Sequence, residues 1–159
     1  MKKIFLTIDP GLSGTGIISW DTKKSWSKDI IYEDAKLFKP HGKDWMINAE
    51  IMSIDIKNYY KNYFIEHIYI EFPQVFQSSL GQAASNRGDI LKLAFFIGCI
   101  RGVFLDSGFE PILVSKWKGQ LPKSETERRC KRILPKILWV NSEHLWDAIG
   151  LGLYLKGKI

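Results

Sequence analysis

The first clear pattern along the chain is an alternation. Ile4, Leu6 and Ile8 are interleaved with Phe5, Thr7 and Asp9, which predicts a β-strand ending on an acid. Pro10, Gly11, Gly14 and Gly16 then predict a tight turn, and "GIISW" a second strand returning beside the first. "WDTKKSW" reads as a polar turn and "SKDIIYEDAKLF" as a third strand that completes an antiparallel unit, before Pro40, His41 and Gly42 break the chain. From Asp44 to about Tyr63, Ile47, Ile51 and Ile54 recur at helical spacing and predict an amphipathic helix covering the sheet, with Asp44 as its N-cap.

"HIYIEF" is a short buried strand that also ends on an acid, Glu71. A polar stretch follows, then the apolar helical segment "ILKLAFFIGCIRGVFLDSG", stopped by Gly108. "EPILVS" predicts a fifth strand and "KWKGQLPK" a basic loop, while Ser124 with Glu127 forms a capping box opening a helix to about Leu134, where Pro135 ends or bends it. A final helix starts near Asn141 or Ser142 and carries His144 and Asp147. The predicted order is β-β-β-α-β-α-β-α-α: an α/β fold whose mixed five-stranded sheet, three strands antiparallel and then two parallel, is flanked by helices.

Composition narrows this picture without changing it. The 159 residues suit one domain spanning 1–159, and 45% hydrophobic with 25% charged residues is a globular composition. No run reaches transmembrane length and the N-terminus lacks a small-residue cleavage site, so no membrane association and a cytoplasmic location are expected. Cys99 and Cys130 have no partner at zinc or redox spacing and are expected to be reduced core thiols. The net charge of +6 favours a polyanionic partner.

The candidate chemistry lies in acids far apart in sequence. If the strands ending at Asp9 and Glu71 are parallel neighbours, their carboxylates leave the sheet at the same end. His144 and Asp147, three residues apart on a helix, share a face and point together, and Glu143 is placed to join them as an outer partner. Carboxylates gathered without a compensating Lys or Arg repel one another, and a divalent cation resolves the repulsion. Hard oxygen ligands with one imidazole suit Mg²⁺, with Mn²⁺ as a substitute, and two such ions about 4 Å apart suit phosphodiester hydrolysis. Lys116, Lys118, Lys123, Arg128, Arg129, Lys131 and Arg132, interleaved with Trp117, read as a phosphate-contacting surface.

"TIDPGLSGTG", "IYIEFPQVF" and "HLWDAIGLGL", in that order and spacing, resemble the RuvC-type Holliday junction resolvases of the ribonuclease H-like superfamily, in a short, phage-like form. The resemblance implies a homodimer that nicks opposed strands of a four-way DNA junction and leaves 5′-phosphate ends. It assigns two Mg²⁺ ions to Asp9, Glu71, His144 and Asp147, and pairs the subunits near residues 90–106, with Ile90, Leu93, Ile97, Ile100 and Phe104 serving core and interface together. An aromatic that follows the strand-ending Glu wedges into the junction centre in that family; here it is Phe72 or Phe76, with Phe76 preferred because it lies further into the polar loop.

Other readings stand beside this one. D-x-G-x-x-G-T-G also resembles the phosphate loop of actin-like ATPases, but that fold is duplicated and this chain has room for one half, so no nucleotide cofactor is expected. A broader branched-DNA nuclease, a nuclease for RNA–DNA hybrids or structured RNA, a non-catalytic junction-binding protein and a nucleotide-binding half-domain are the remaining alternatives.

Overall fold

The computed structural model describes residues 1–23, 32–74, 88–119, 121 and 123–159. Five strands form one sheet: β1 (Lys2–Asp9), β2 (Thr15–Asp21), β3 (Asp34–Phe38), β4 (Tyr63–Phe72) and β5 (Gly108–Leu113), in the spatial order β3-β2-β1-β4-β5. β1–β2 and β2–β3 pair antiparallel, β1–β4 and β4–β5 parallel. The helices are α1 (Trp45–Tyr59), α2 (Asp89–Val103), the short α3 (Val114–Trp117), α4 (Lys123–Ile133) and α5 (Glu143–Leu155), with one 3₁₀ turn at Lys136–Leu138. This is a ribonuclease H-like arrangement.

β1 is central, so both of its faces are covered. Ile4, Leu6 and Ile8 pack into a core with Met52 and Ile56 of α1 and Phe96, Ile97 and Ile100 of α2. On the other face Phe5 joins Trp20, Cys130 of α4, and Leu145, Trp146 and Ile149 of α5. α5 is tied to the sheet by hydrogen bonds as well: the Thr7 hydroxyl donates to the Ala148 carbonyl at 2.8 Å and receives the Trp20 indole N–H at 2.9 Å. Close approach there depends on glycine, because a Cβ at Gly16 would stand 2.2 Å from the His144 carbonyl oxygen and one at Gly152 2.2 Å from the Trp20 ring.

Several elements depart from the sequence expectations. Asp44 caps α1, accepting from the Met46 and Ile47 amides, but Ile47, Ile51 and Ile54 are 53%, 38% and 52% exposed. The buried face of α1 is Asn48, Ala49, Met52, Ser53 and Ile56. Asn48 is drawn inward by its work on the preceding turn, where its Oδ1 accepts from the His41 and Gly42 amides and its Nδ2 donates to the Gly42 carbonyl. β3 starts only at Asp34, β5 begins two residues before Glu110, and "VSKW" is a helical turn, not strand and loop. α2 ends at Val103, where the Arg101 guanidinium donates to the Phe104, Leu105 and Ser107 carbonyls and closes the helix before Gly108. Both cysteines are free thiols, and Cys130 is buried.

Candidate active site

The register places the strand-ending acids together. Ile8 of β1 pairs with Ile70 of the parallel strand β4, so Asp9 and Glu71 are the next residues on adjacent strands, and both leave the sheet on the α5 face. α5 begins over this edge, with Ser142 as its N-cap, and brings His144 and Asp147 down on them. β5, parallel to β4, ends at the same edge and delivers α3, which carries Trp117 and leads into Lys118. Gly119, at φ 58°, turns the chain immediately afterwards, and its amide donates to the Val114 carbonyl at 2.9 Å.

The result is an open cleft of about 470 Å³ lined by Asp9, Glu71, Lys118, His144 and Asp147, with the Pro10–Ser13 turn, Asp89 and Leu93 around them. His144 Nδ1 lies 2.6 Å from Asp9 Oδ2. With Nδ1–H donating to the carboxylate, Nε2 is the basic nitrogen of the ring. The ring also fills the space above the first turn, where a Cβ at Gly11 would stand 2.6 Å from its Cε1.

On the other side of the cleft Lys118 Nζ donates to Glu71 Oε2 at 2.9 Å and to Asp147 Oδ2 at 2.8 Å. The Trp117 indole N–H donates to the same Glu71 oxygen at 3.1 Å. Asp147 is 1% exposed. Burial, followed by the charge of Asp9, pushes the Glu71 carboxyl up to about 7 against the opposing pull of Lys118. Burial works to lower the Lys118 ammonium, yet Glu71, Asp147 and Asp9 together hold it above its ordinary value.

The expectation that these carboxylates gather without a compensating cation is therefore corrected. Lys118, assigned from sequence to a phosphate-binding loop, is the resident counter-charge. Among the described residues no three His, Cys, Asp or Glu donors converge on one point as a formed metal centre. The donors nevertheless fit a hard divalent cation, since the carboxylates of Asp9, Glu71, Asp89 and Asp147 and one imidazole line a single cleft, and an ammonium already occupies a cation position between two of them.

Trp117, expected to face nucleic acid, is 9% exposed and packs with Ile112 and Leu151. It is drawn inward because Gly150 leaves room for its ring, a Cβ there standing 2.8 Å from Cζ3. Phe72 ends β4 and packs against the α1–α2 core. Phe76 lies outside the described residues, as does the side chain of Lys123. Lys116 is exposed. Arg128 and Arg129 are spent in part on Glu125, at 2.8 and 3.1 Å. Glu143 is exposed at the first position of α5, off the cleft lining.

Asp89, in the first turn of α2, lines the cleft and went unnoticed in the sequence. For Trp117 and Lys118 a signal was available: they follow directly on a strand parallel to β4, so they had to emerge at the carboxyl edge that carries Glu71. A second cavity, of about 420 Å³, lies at the far end of the α5 face among Phe5, His67, Tyr69 and Lys156, away from these acids.

Two solved structures share the fold over nearly their whole length. One is Thermus thermophilus RuvC in complex with Holliday junction substrate (TM-score 0.67, 11% identity, covering 98% of this chain and 97% of that one). The other is a Thermus thermophilus RuvC structure (TM-score 0.61, 13% identity, 98% and 97% covered). No protein-family model matches the chain, and no curated protein matches its sequence.

Proposed function

We propose that the protein is a divalent-cation-dependent endonuclease of branched DNA, chiefly of four-way junctions, which it resolves by paired nicks leaving 5′-phosphate ends. The observation that carries this reading is the meeting of Asp9, Glu71, His144 and Asp147 at one sheet edge, in a fold shared with a RuvC solved on Holliday junction substrate. Asp9, Glu71 and Asp147 would hold the metal, Mg²⁺ or Mn²⁺ by the hardness of the donors, which leaves the His144 imidazole for proton transfer. Bound there, a divalent cation supplies charge neutralisation to a phosphodiester and acidifies water.

The remaining work belongs to side chains. Asp9 fixes the tautomer of His144 through Nδ1, so Nε2 is the nitrogen that takes a proton from the attacking water or returns one to the leaving oxygen. Trp117 holds one oxygen of Glu71 and so fixes the direction of the other. Exposed Lys116, with the basic surface of α4, supplies sequence-independent phosphate contacts.

A homodimer is part of the reading. Ile47, Ile51 and Ile54 on α1, and Leu91 and Phe95 on the neighbouring α2, are exposed apolar side chains that a second copy would cover. This differs from the α2 residues assigned from sequence, of which Ile97, Ile100 and Phe104 are core and Leu93 borders the cleft. The activity is tested by cleavage of an end-labelled four-way junction with Mg²⁺ or EDTA, with Asp9→Asn as the inactive control.

A further inference from the structure

We propose that Lys118 makes loading of the cleft with a divalent cation conditional on bound nucleic acid: its ammonium holds the cation position in the free protein and leaves it for a substrate phosphate. The inference rests on the reading of the cleft as a metal centre, and it concerns how that centre is regulated.

Lys118 Nζ sits 2.9 Å from Glu71 Oε2 and 2.8 Å from Asp147 Oδ2, and its side chain is 11% exposed. A Mg²⁺-sized ion bound by the same two oxygens would lie about 2.0–2.1 Å from each, in the space that the ammonium fills. Two cations cannot share that space, so the divalent ion must displace the lysine. Nothing covalent restrains it, because Lys118 follows the last residue of α3 and its four-carbon stem is flexible. Its ring contact, with Nζ 4.8 Å from the Trp117 centroid, holds it loosely by comparison with two carboxylates.

Once displaced, the ammonium needs an anion. Asp9 is engaged by His144, while a phosphodiester entering the open cleft offers oxygens at short range. Cation and nucleic acid then help one another, and by linkage each raises the affinity of the other by the same factor. Free protein would bind cation weakly. Loading would follow engagement of the substrate, which keeps the chemistry off until DNA is in place.

The test is calorimetric titration of Mn²⁺ into the free protein and into its Lys118→Met and Lys118→Arg variants. It is paired with the salt dependence of four-way-junction binding in Ca²⁺ and in EDTA. The inference predicts that Lys118→Met binds Mn²⁺ at least about tenfold more tightly than the wild type, whereas Lys118→Arg does not. It also predicts that the salt slope of the wild type steepens by about one on going from EDTA to Ca²⁺, as one more phosphate contact requires, with a smaller change in Lys118→Met. If Lys118→Met is unstable without cation, the rise of its Tm with Mn²⁺ relative to wild type gives the same comparison. Equal or weaker Mn²⁺ binding in Lys118→Met would overturn the inference and leave the metal centre standing. No cation binding by any form, with or without junction, would overturn both.

Discussion

Asp9 and His144 stand 135 positions apart in the chain and meet at 2.6 Å, Oδ2 to Nδ1. The contact exists because β1 ends where α5 begins, and because Gly16 carries no side chain to hold the helix away. A strand-ending acid is thereby turned into the orienting partner of an imidazole. The consequences of this and the neighbouring contacts are measurable.

Asp9→Asn keeps the size of the side chain and the basic surface but removes the carboxylate. Loss of an outer-shell partner typically costs roughly 10–100-fold in activity or metal affinity, and a direct ligand should cost more. Junction binding in EDTA should be unchanged, as read by electrophoretic mobility shift.

Trp117→Phe keeps an aromatic ring in the packed site but loses the indole edge that lies against Gly150 and removes the donor to Glu71. Cleavage should fall by roughly 10–100-fold, with a stability cost of about 1–3 kcal/mol from the lost hydrogen bond and the smaller ring. Trp117→Ala should instead cost about 3–5 kcal/mol by emptying a packed site. Denaturant unfolding of both variants separates positioning from packing.

Glu71 predicts the direction of a pH effect in the metal-free protein. Its folded-state carboxyl is raised from 4.5 to about 7, so between those values the folded state binds more protons than the unfolded chain. Stability should therefore fall as pH rises through that window and level off above it, by up to about 3 kcal/mol. Glu71→Gln should flatten this slope. Unfolding in EDTA at pH 5 and pH 8 makes the comparison.

Gly16→Ala would place a Cβ 2.2 Å from the His144 carbonyl oxygen, a backbone atom that cannot swing aside. A cost of at least about 1–3 kcal/mol is expected from overpacking alone. Because the helix displaced carries His144 and Asp147, activity should be lost even at temperatures where the variant is folded.

Ile51→Glu tests the proposed association surface. Ile51 is exposed in the single chain, so the substitution should leave the monomer's stability within about 0.5 kcal/mol. Sedimentation should show a dimer for the parent chain and a monomer for the variant.

The fold was legible in the sequence wherever the pattern was local. Alternation marked β1 and an apolar run marked the second half of β4, and each carries at or next to its end the acid that now lines the cleft. The H-x-x-D spacing was enough to put His144 and Asp147 on one helix face. The face of α1 was misread because apolar periodicity reports that residues share a side, not that the side is covered: Ile47, Ile51 and Ile54 share one that is exposed in the single chain. The role of Lys118 was legible only in part: a parallel fifth strand had to deliver its segment to the acidic edge, but not this lysine in particular. Which of several lysines in a basic stretch folds back onto acids depends on sheet order and on the turn at Gly119, and neither is written in local spacing.

The central claim is met most directly by end-labelled cleavage of a mobile four-way junction, a Y-fork, a linear duplex and an RNA–DNA hybrid, each with Mg²⁺ or EDTA. Paired, symmetric, Mg²⁺-dependent nicks near the four-way crossover, absent from the duplex and from Asp9→Asn, are the predicted result. Cleavage of the hybrid alone, or junction cleavage that persists in EDTA or in Asp9→Asn, would contradict the account.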